Sequence, residues 1–209
     1  EADFCNDLDL PFSVSGAVRI KNQAQFNPLK FIYALAKELN IFEKTKVTGY
    51  KDNCILINNG IIKANKIIVA THFPIFNKHG LFFMKMYQQR SYVCAYDNAP
   101  KLEGMYVDEK DNGMSFRNYK DLLLIGGGGH RTGKNGGNWQ EIRSFAQIKY
   151  PDAREKFWWA TQDCITLDGM PYIGQYSPST PELFVATGFN KWGMTSSMVA
   201  AKLITDLIL

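Results

Sequence analysis

Residues 163–197 read DCITLDGMPYIGQYSPSTPELFVATGFNKWGMTSS. A short apolar piece at 171–174 is followed by a polar turn and a strand-like run at 183–186. TGFNKWGMT then opens a terminal helix, expected from about Met194 to Leu207. Strand, glycine-containing loop and helix N-terminus, in that order, gather unpaired backbone N–H groups where they can meet an electron-rich ligand. Taken on its physics alone, the same pattern also fits an ordinary left-handed turn before a closing helix.

Residues 1–26 read as irregular, with one strand expected at 17–20. Asn27 is a natural N-cap, and Pro28 takes the first helical position, where its missing N–H costs nothing. Leu29, Ile32, Leu35, Ala36 and Leu39 then share a face, which predicts a helix to about Asn40. Short strands are expected at 41–42, 47–50 and 54–57, the last turning through Asn58-Asn59-Gly60 into Ile61-Ile62. The β-branched run at 66–71 suits a strand buried on both faces. From Leu81 the pattern alternates and predicts strands at 84–96, 104–107, 114–117 and 122–125. Turns at 97–100 and at Asp111-Asn112-Gly113 separate them, and no helix is expected between 81 and 127. The glycines at 126–129 lead into His130 and Arg131. Asn138 and Glu141 have capping-box spacing ahead of a helix to about Lys149, with Trp139, Ile142, Phe145 and Ala146 on one face. Residues 156–166 read as a strand returning toward the first region. The expected class is α+β, with an antiparallel or mixed sheet inserted into an α/β framework.

Composition removes several function classes. The 209 residues are 45% hydrophobic and 21% charged, which suits an ordinary globular protein. No apolar run approaches the length of a membrane span. The first ten residues lack the basic and apolar regions of a signal peptide. The chain does not begin with Met, which predicts a processed or excised piece. The net charge of +4 comes from scattered lysines, each beside apolar or acidic neighbours, so solvated faces are expected and no nucleic-acid stripe. Cys5, Cys54, Cys94 and Cys164 are far apart with no CxxC, which argues against zinc, iron–sulfur and disulfide frameworks. Reduced thiols in the cytoplasm are expected. His72, His79 and His130 have no ligand spacing, so no metal site is expected.

Four pieces in order resemble the FAD-dependent oxidoreductases of the D-amino-acid oxidase, glycine oxidase and sarcosine oxidase family. They are NPLKFIYALAKEL with EKTKVTGY, then KIIVATH, then LLLIGGGGHRTG, and finally TLDGMPYIGQY with ELFVATGFNKWGMT. The resemblance is closest to a bacterial branch often fused to a Rieske iron–sulfur domain, and the last piece is the most specific. It implies a partial FAD-binding domain from residues 1–72 and 165–209, with a substrate domain from 73–164 inserted. The family opens on a strand–GxGxxG–helix unit that holds the FAD pyrophosphate, and this sequence has no such motif. A C-terminal fragment is therefore expected, binding FAD weakly or not at all by itself and inactive alone. No iron–sulfur motif follows in this sequence.

By the same resemblance, Val47 would bond the adenine through its backbone, and Ala70 and Thr71 would line the cofactor nearby. Gly169, Met170 and Ile173 would approach the flavin ring. Gly188, Phe189, Asn190, Gly193, Met194 and Thr195 would supply the loop and helix N–H groups that stabilise charge on the reduced flavin. Arg117 and Arg131 are candidates for a substrate carboxylate, and Tyr87 and His130 for orientation. The sarcosine oxidase branch ends its loop in a lysine that meets the substrate carboxylate. Thr195 stands in that slot here and Lys191 lies elsewhere, which weakens the case for an amino-acid substrate. No catalytic residue stands out. The activity implied is hydride removal from a C–H beside an amine or hydroxyl, with an iron–sulfur domain or O2 as acceptor. Self-association through uncovered apolar surface is also expected. The alternative is a non-catalytic interaction or small-molecule-binding module that keeps the fold.

Overall fold

The computed structural model describes residues 2–76, 80–110 and 113–209; His79 and the turn residues Asp111 and Asn112 lie outside them. The chain divides into two compact units, Glu1–Lys63 and Ala64–Leu209. This cut follows packing and differs from the expected one at residues 72 and 165.

In the first unit, β1 (Ala2–Cys5) pairs antiparallel with β2 (Ala17–Ile20). α1 (Pro28–Ala36) starts as expected: the Asn27 side chain accepts from Lys30 N at 3.1 Å. It ends earlier than expected, its last turn tightening into bonds from Glu38 N to Leu35 O and from Leu39 N to Ala36 O. Residues 41 and 42 form no strand. β3 (Val47–Lys51), β4 (Cys54–Ile57) and β5 (Gly60–Lys63) make an antiparallel meander.

The second unit holds two sheets. In the smaller, β12 (Tyr172–Ser177) and β13 (Thr180–Thr187) form a hairpin, and β6 (Ile67–Val69) lies parallel to β13. β13 is buried along most of its length because it is central. β6 is the edge strand, so Ile68 is 50% exposed where burial on both faces was expected. α4 (Gly193–Ile208) packs on β12 and β13.

The larger sheet has the order β11-β7-β10-β9-β8: β7 (Met86–Asp97), β8 (Tyr106–Val107), β9 (Ser115–Tyr119), β10 (Leu122–Arg131) and β11 (Arg154–Thr166). All its pairs are antiparallel. β11, expected to return toward the first region, instead pairs with β7 along its whole length. A four-residue helix, α2 (Phe82–Lys85), precedes β7; it is too short to show a helical period in sequence. β10 runs on through the glycines, with a bulge between Gly127 and His130.

Side chains alternate across this sheet. One face carries Tyr92, Cys94, Tyr96, Leu123 and Ile125, and α3 (Asn138–Lys149) covers it with Ile142 and Ala146. Each fully buried Leu or Ile there contributes about 1.5–3 kcal/mol. The expected capping box does not form, because the Asn138 side chain bonds His130 and Gly136 and the cap position falls to Gly137. Gly128, at φ +61°, lets this helix start approach: a Cβ there would stand 2.1 Å from Asn138 O.

Candidate functional site

The loop between β13 and α4 is fastened to the end of β11 by Asn190. Asn190 N donates to Cys164 O at 3.1 Å, and its Oδ1 accepts from Thr166 N at 3.0 Å. One residue, in the left-handed conformation at φ 52°, thus occupies the edge of β11 much as a neighbouring strand would. Its Nδ2 donates to Gly169 O at 3.1 Å, which brings in the turn before β12. Gly188 fits the same crossing. At φ +69° it sits where a Cβ would lie 2.4 Å from Thr166 Cγ2 and 3.2 Å from Met86 Sδ.

Beside this loop lies a cavity of about 720 Å³. Ala70, Gly188, Phe189, Asn190 and Gly193, all expected at a cofactor, line it. Along α4 it is lined by Gly193, Ser197, Ala200, Ala201, Ile204, Thr205 and Ile208, of which Gly193, Ser197, Ala201 and Thr205 are small residues four apart on one helical ridge. That spacing of small residues is legible in the sequence. His72, Asp163 and Cys164 also line the cavity without having been singled out. The helix opens here without a side-chain cap, so the N–H groups of Gly193, Met194 and Thr195 have no partner within the helix. A Cβ on Gly193 would meet no protein atom within 4 Å.

Thr71, Gly169, Met170, Ile173, Met194 and Thr195 are not among the cavity's lining residues. Thr71 turns its hydroxyl to Phe73 O at 2.9 Å. Ile173, on β12, pairs with Ala186 of β13. Met170 is exposed, in a turn where its N–H donates to Asp168 Oδ1 at 3.1 Å. That bond, and the Tyr172 hydroxyl at 3.2 Å, hold the Asp168 carboxyl below its usual range. Val47 lies on β3 in the first unit.

The four substrate candidates do not share one place. Tyr87 and Arg131 do meet, the guanidinium lying 4.9 Å from the ring centroid. They project from the sheet face opposite α3, with Gln89, Ser91 and Asp163. Arg117 is on that face too, but its row crosses β7 at Ala95, eight residues from Tyr87 and about 27 Å along the strand. His130 projects from the other face: Nε2 is 2.9 Å from Tyr92 Oη and 3.2 Å from Asn138 Oδ1, and Nδ1 donates to Arg131 O at 3.0 Å. The bulge at Gly127–His130 decides which face each member of the pair His130-Arg131 takes.

The loop reaches the open face through Lys191, whose Nζ lies 2.9 Å from both Asp163 Oδ2 and Ser91 Oγ. Cys164 is buried, and its thiol is pushed up to about 11, chiefly by burial and then by Asp163. It is therefore a neutral thiol at the cavity wall. Among the described residues no three His, Cys, Asp or Glu side chains converge as a metal site would need.

A hairpin and parallel strand meeting a glycine loop and helix, beside an antiparallel sheet, define a class. The family model described as FAD dependent oxidoreductase (DAO) matches residues 2–207, and the chain belongs to that family. It is similar to a Bacillus subtilis (strain 168) protein named as a Rieske 2Fe-2S iron-sulfur protein, YhfW. The two are 35% identical over 227 residues, covering 100% of this chain and 44% of that one. Its fold is that of glycine oxidase from Geobacillus kaustophilus (TM-score 0.67, 22% identity, 80% of this chain and 48% of that one). L-proline dehydrogenase from P. horikoshii shares it as well (TM-score 0.66, 17% identity, 85% and 52%). The chain thus spans about half the length of these relatives. The cavity suits an apolar part of a flavin: its lining is largely apolar, and Gly193 at the uncapped start of α4 belongs to it.

Proposed function

We propose that this chain forms the substrate side and the redox-end cradle of an FAD-dependent oxidoreductase that oxidises a C–H beside an amine or hydroxyl. The observation that carries the reading is that Gly193, at the uncapped start of α4, lines the largely apolar cavity beside the glycine loop. FAD, when bound, supplies the acceptor for the hydride. The chain's own part is electrostatic and geometric. N–H groups of Gly193, Met194 and Thr195, with the helix dipole behind them, favour negative charge in the cavity. Gly188, Phe189 and Asn190 shape the loop, and we assign Ala70, Thr71, Gly169, Met170 and Ile173 to the same cofactor side.

On the substrate side we assign Arg131 and Tyr87 to an anionic group of the substrate. They meet on the open sheet face, and Arg131 stacks on an aromatic ring, which leaves its forked edge for a carboxylate. Arg117 stands too far along the sheet to hold the same small molecule. An iron–sulfur domain or O2 would take the electrons onward; the Rieske-named relative favours the former. We place the protein in the cytoplasm, which its four free cysteines support.

The test is anaerobic titration of the full-length protein, flavin bound, with a panel of amines and hydroxy acids. The expected result is bleaching of the visible flavin bands by one class, lost or weakened about 100-fold in R131M. A full-length protein that binds no flavin, or whose flavin no member of the panel bleaches, would overturn the reading.

A further inference from the structure

Lys191 sits in the middle of the cofactor loop but does not face the cavity as a free cation. Its ammonium pairs with Asp163 on β11 at 2.9 Å and donates to Ser91 on β7 at 2.9 Å. The register sets Asp163 opposite Gln89 and Ser91 opposite Thr161, so the two acceptors lie diagonally on one face. That face also carries Tyr87 and Arg131. Lys191 therefore spans two strands of the larger sheet from a loop that belongs to the smaller one. Its neighbour Asn190 holds the strand edge through its backbone N–H and side-chain Oδ1, while Lys191 reaches across the face. Asp163 is the less exposed partner, at 25% against 45%, and it lines the cavity.

We infer that Lys191 is a positioning residue: through Asp163 and Ser91 it locks the glycine loop onto the open face of the five-stranded sheet and sets the gap between the cofactor and substrate sides of the cavity. This rests on the reading of that cavity given above. Its positive charge is met by Asp163, so it orders the loop, and substrate charge falls to Arg131.

Hydrogen exchange at residues 188–195, measured by mass spectrometry on the full-length protein without flavin, tests the lock independently of activity. K191M and D163N are each expected to speed exchange of the loop amides about tenfold. The double variant is expected to go no faster than either, and K191R to restore protection. With flavin bound, K191M should slow flavin reduction while leaving the dissociation constant of the reducing amine or hydroxy acid within about twofold. Exchange unchanged in K191M would overturn the inference. So would a large rise in that dissociation constant with loop protection intact, which would make Lys191 a substrate contact. If the protein proves to bind no flavin, the functional reading fails, while the exchange experiment still decides whether Lys191 locks the loop.

Discussion

Gly188 and Gly193, five residues apart, serve opposite ends. Gly188 is enclosed by Thr166 and Met86 at a positive φ, whereas Gly193 faces open space. Gly188→Ala is expected to cost about 1–3 kcal/mol of stability in urea titration. Gly193→Ala should change stability by less than about 0.5 kcal/mol, because its methyl would meet no protein atom, yet weaken flavin binding by the full-length protein about tenfold if Gly193 is a cofactor contact. The cysteines divide in the same manner. Burial pushes the Cys94 and Cys164 thiols up to about 11, whereas Cys5 and Cys54 are half-buried. Alkylation at about pH 8 should label Cys5 and Cys54 first and reach the other two only on unfolding. A raised thiol pKa adds stability below the ordinary value of 9.0, and this stability is lost as pH rises toward about 11.

Among the elements, α3 is tied to β11 by one bidentate pair. Arg143 Nε and Nη2 donate to the two carboxylate oxygens of Glu155, each at 2.8 Å. These bonds are the main reason the Glu155 carboxyl lies below its ordinary 4.5. A lowered carboxylate pKa stabilises the fold above 4.5, and that contribution is lost as pH falls through the lowered value. Solvent screens the pair, since Arg143 is 40% exposed, so E155Q should cost only about 1 kcal/mol at neutral pH. Urea midpoints measured at neutral and acid pH should converge for E155Q and the parent as the acid limb is reached. The same helix also reaches β11 through Trp139, whose Nε1 donates to Trp159 O at 3.2 Å.

At the scale of the molecule, apolar helix faces remain uncovered. α1 buries none of its residues although Leu29, Ile32 and Leu35 form the stripe its sequence predicts. Met198, Val199 and Leu203 on α4 are likewise about half exposed. The chain by itself should therefore bind a hydrophobic dye and self-associate. I32K with L35K should reduce both without lowering the melting temperature. Sedimentation and dye fluorescence check this, and dye binding unchanged by the double variant would place the exposed surface elsewhere.

Local chemistry was legible wherever it sufficed. Asn27-Pro28 began α1, Asn58-Asn59-Gly60 turned a hairpin, and TGFNKWGMT opened α4, because caps, turns and helix starts depend on neighbours in sequence. The family resemblance rested on such segments and was right about the fold. What the sequence could not determine was partnership. β11 pairs with β7 across some seventy residues of chain, and no local pattern encodes which strand a strand will meet. Asn138 looked like a cap but is drawn to His130, and a two-for-one bulge at Gly127–His130 sends His130 and Arg131 to opposite faces. Lys191 read as a misplaced lysine until its partners on two distant strands were seen. The sequence determined the pieces and the loop that opens α4. Tertiary structure alone decided which side chains share a face, because register and long-range hydrogen bonds are set by the assembled sheet.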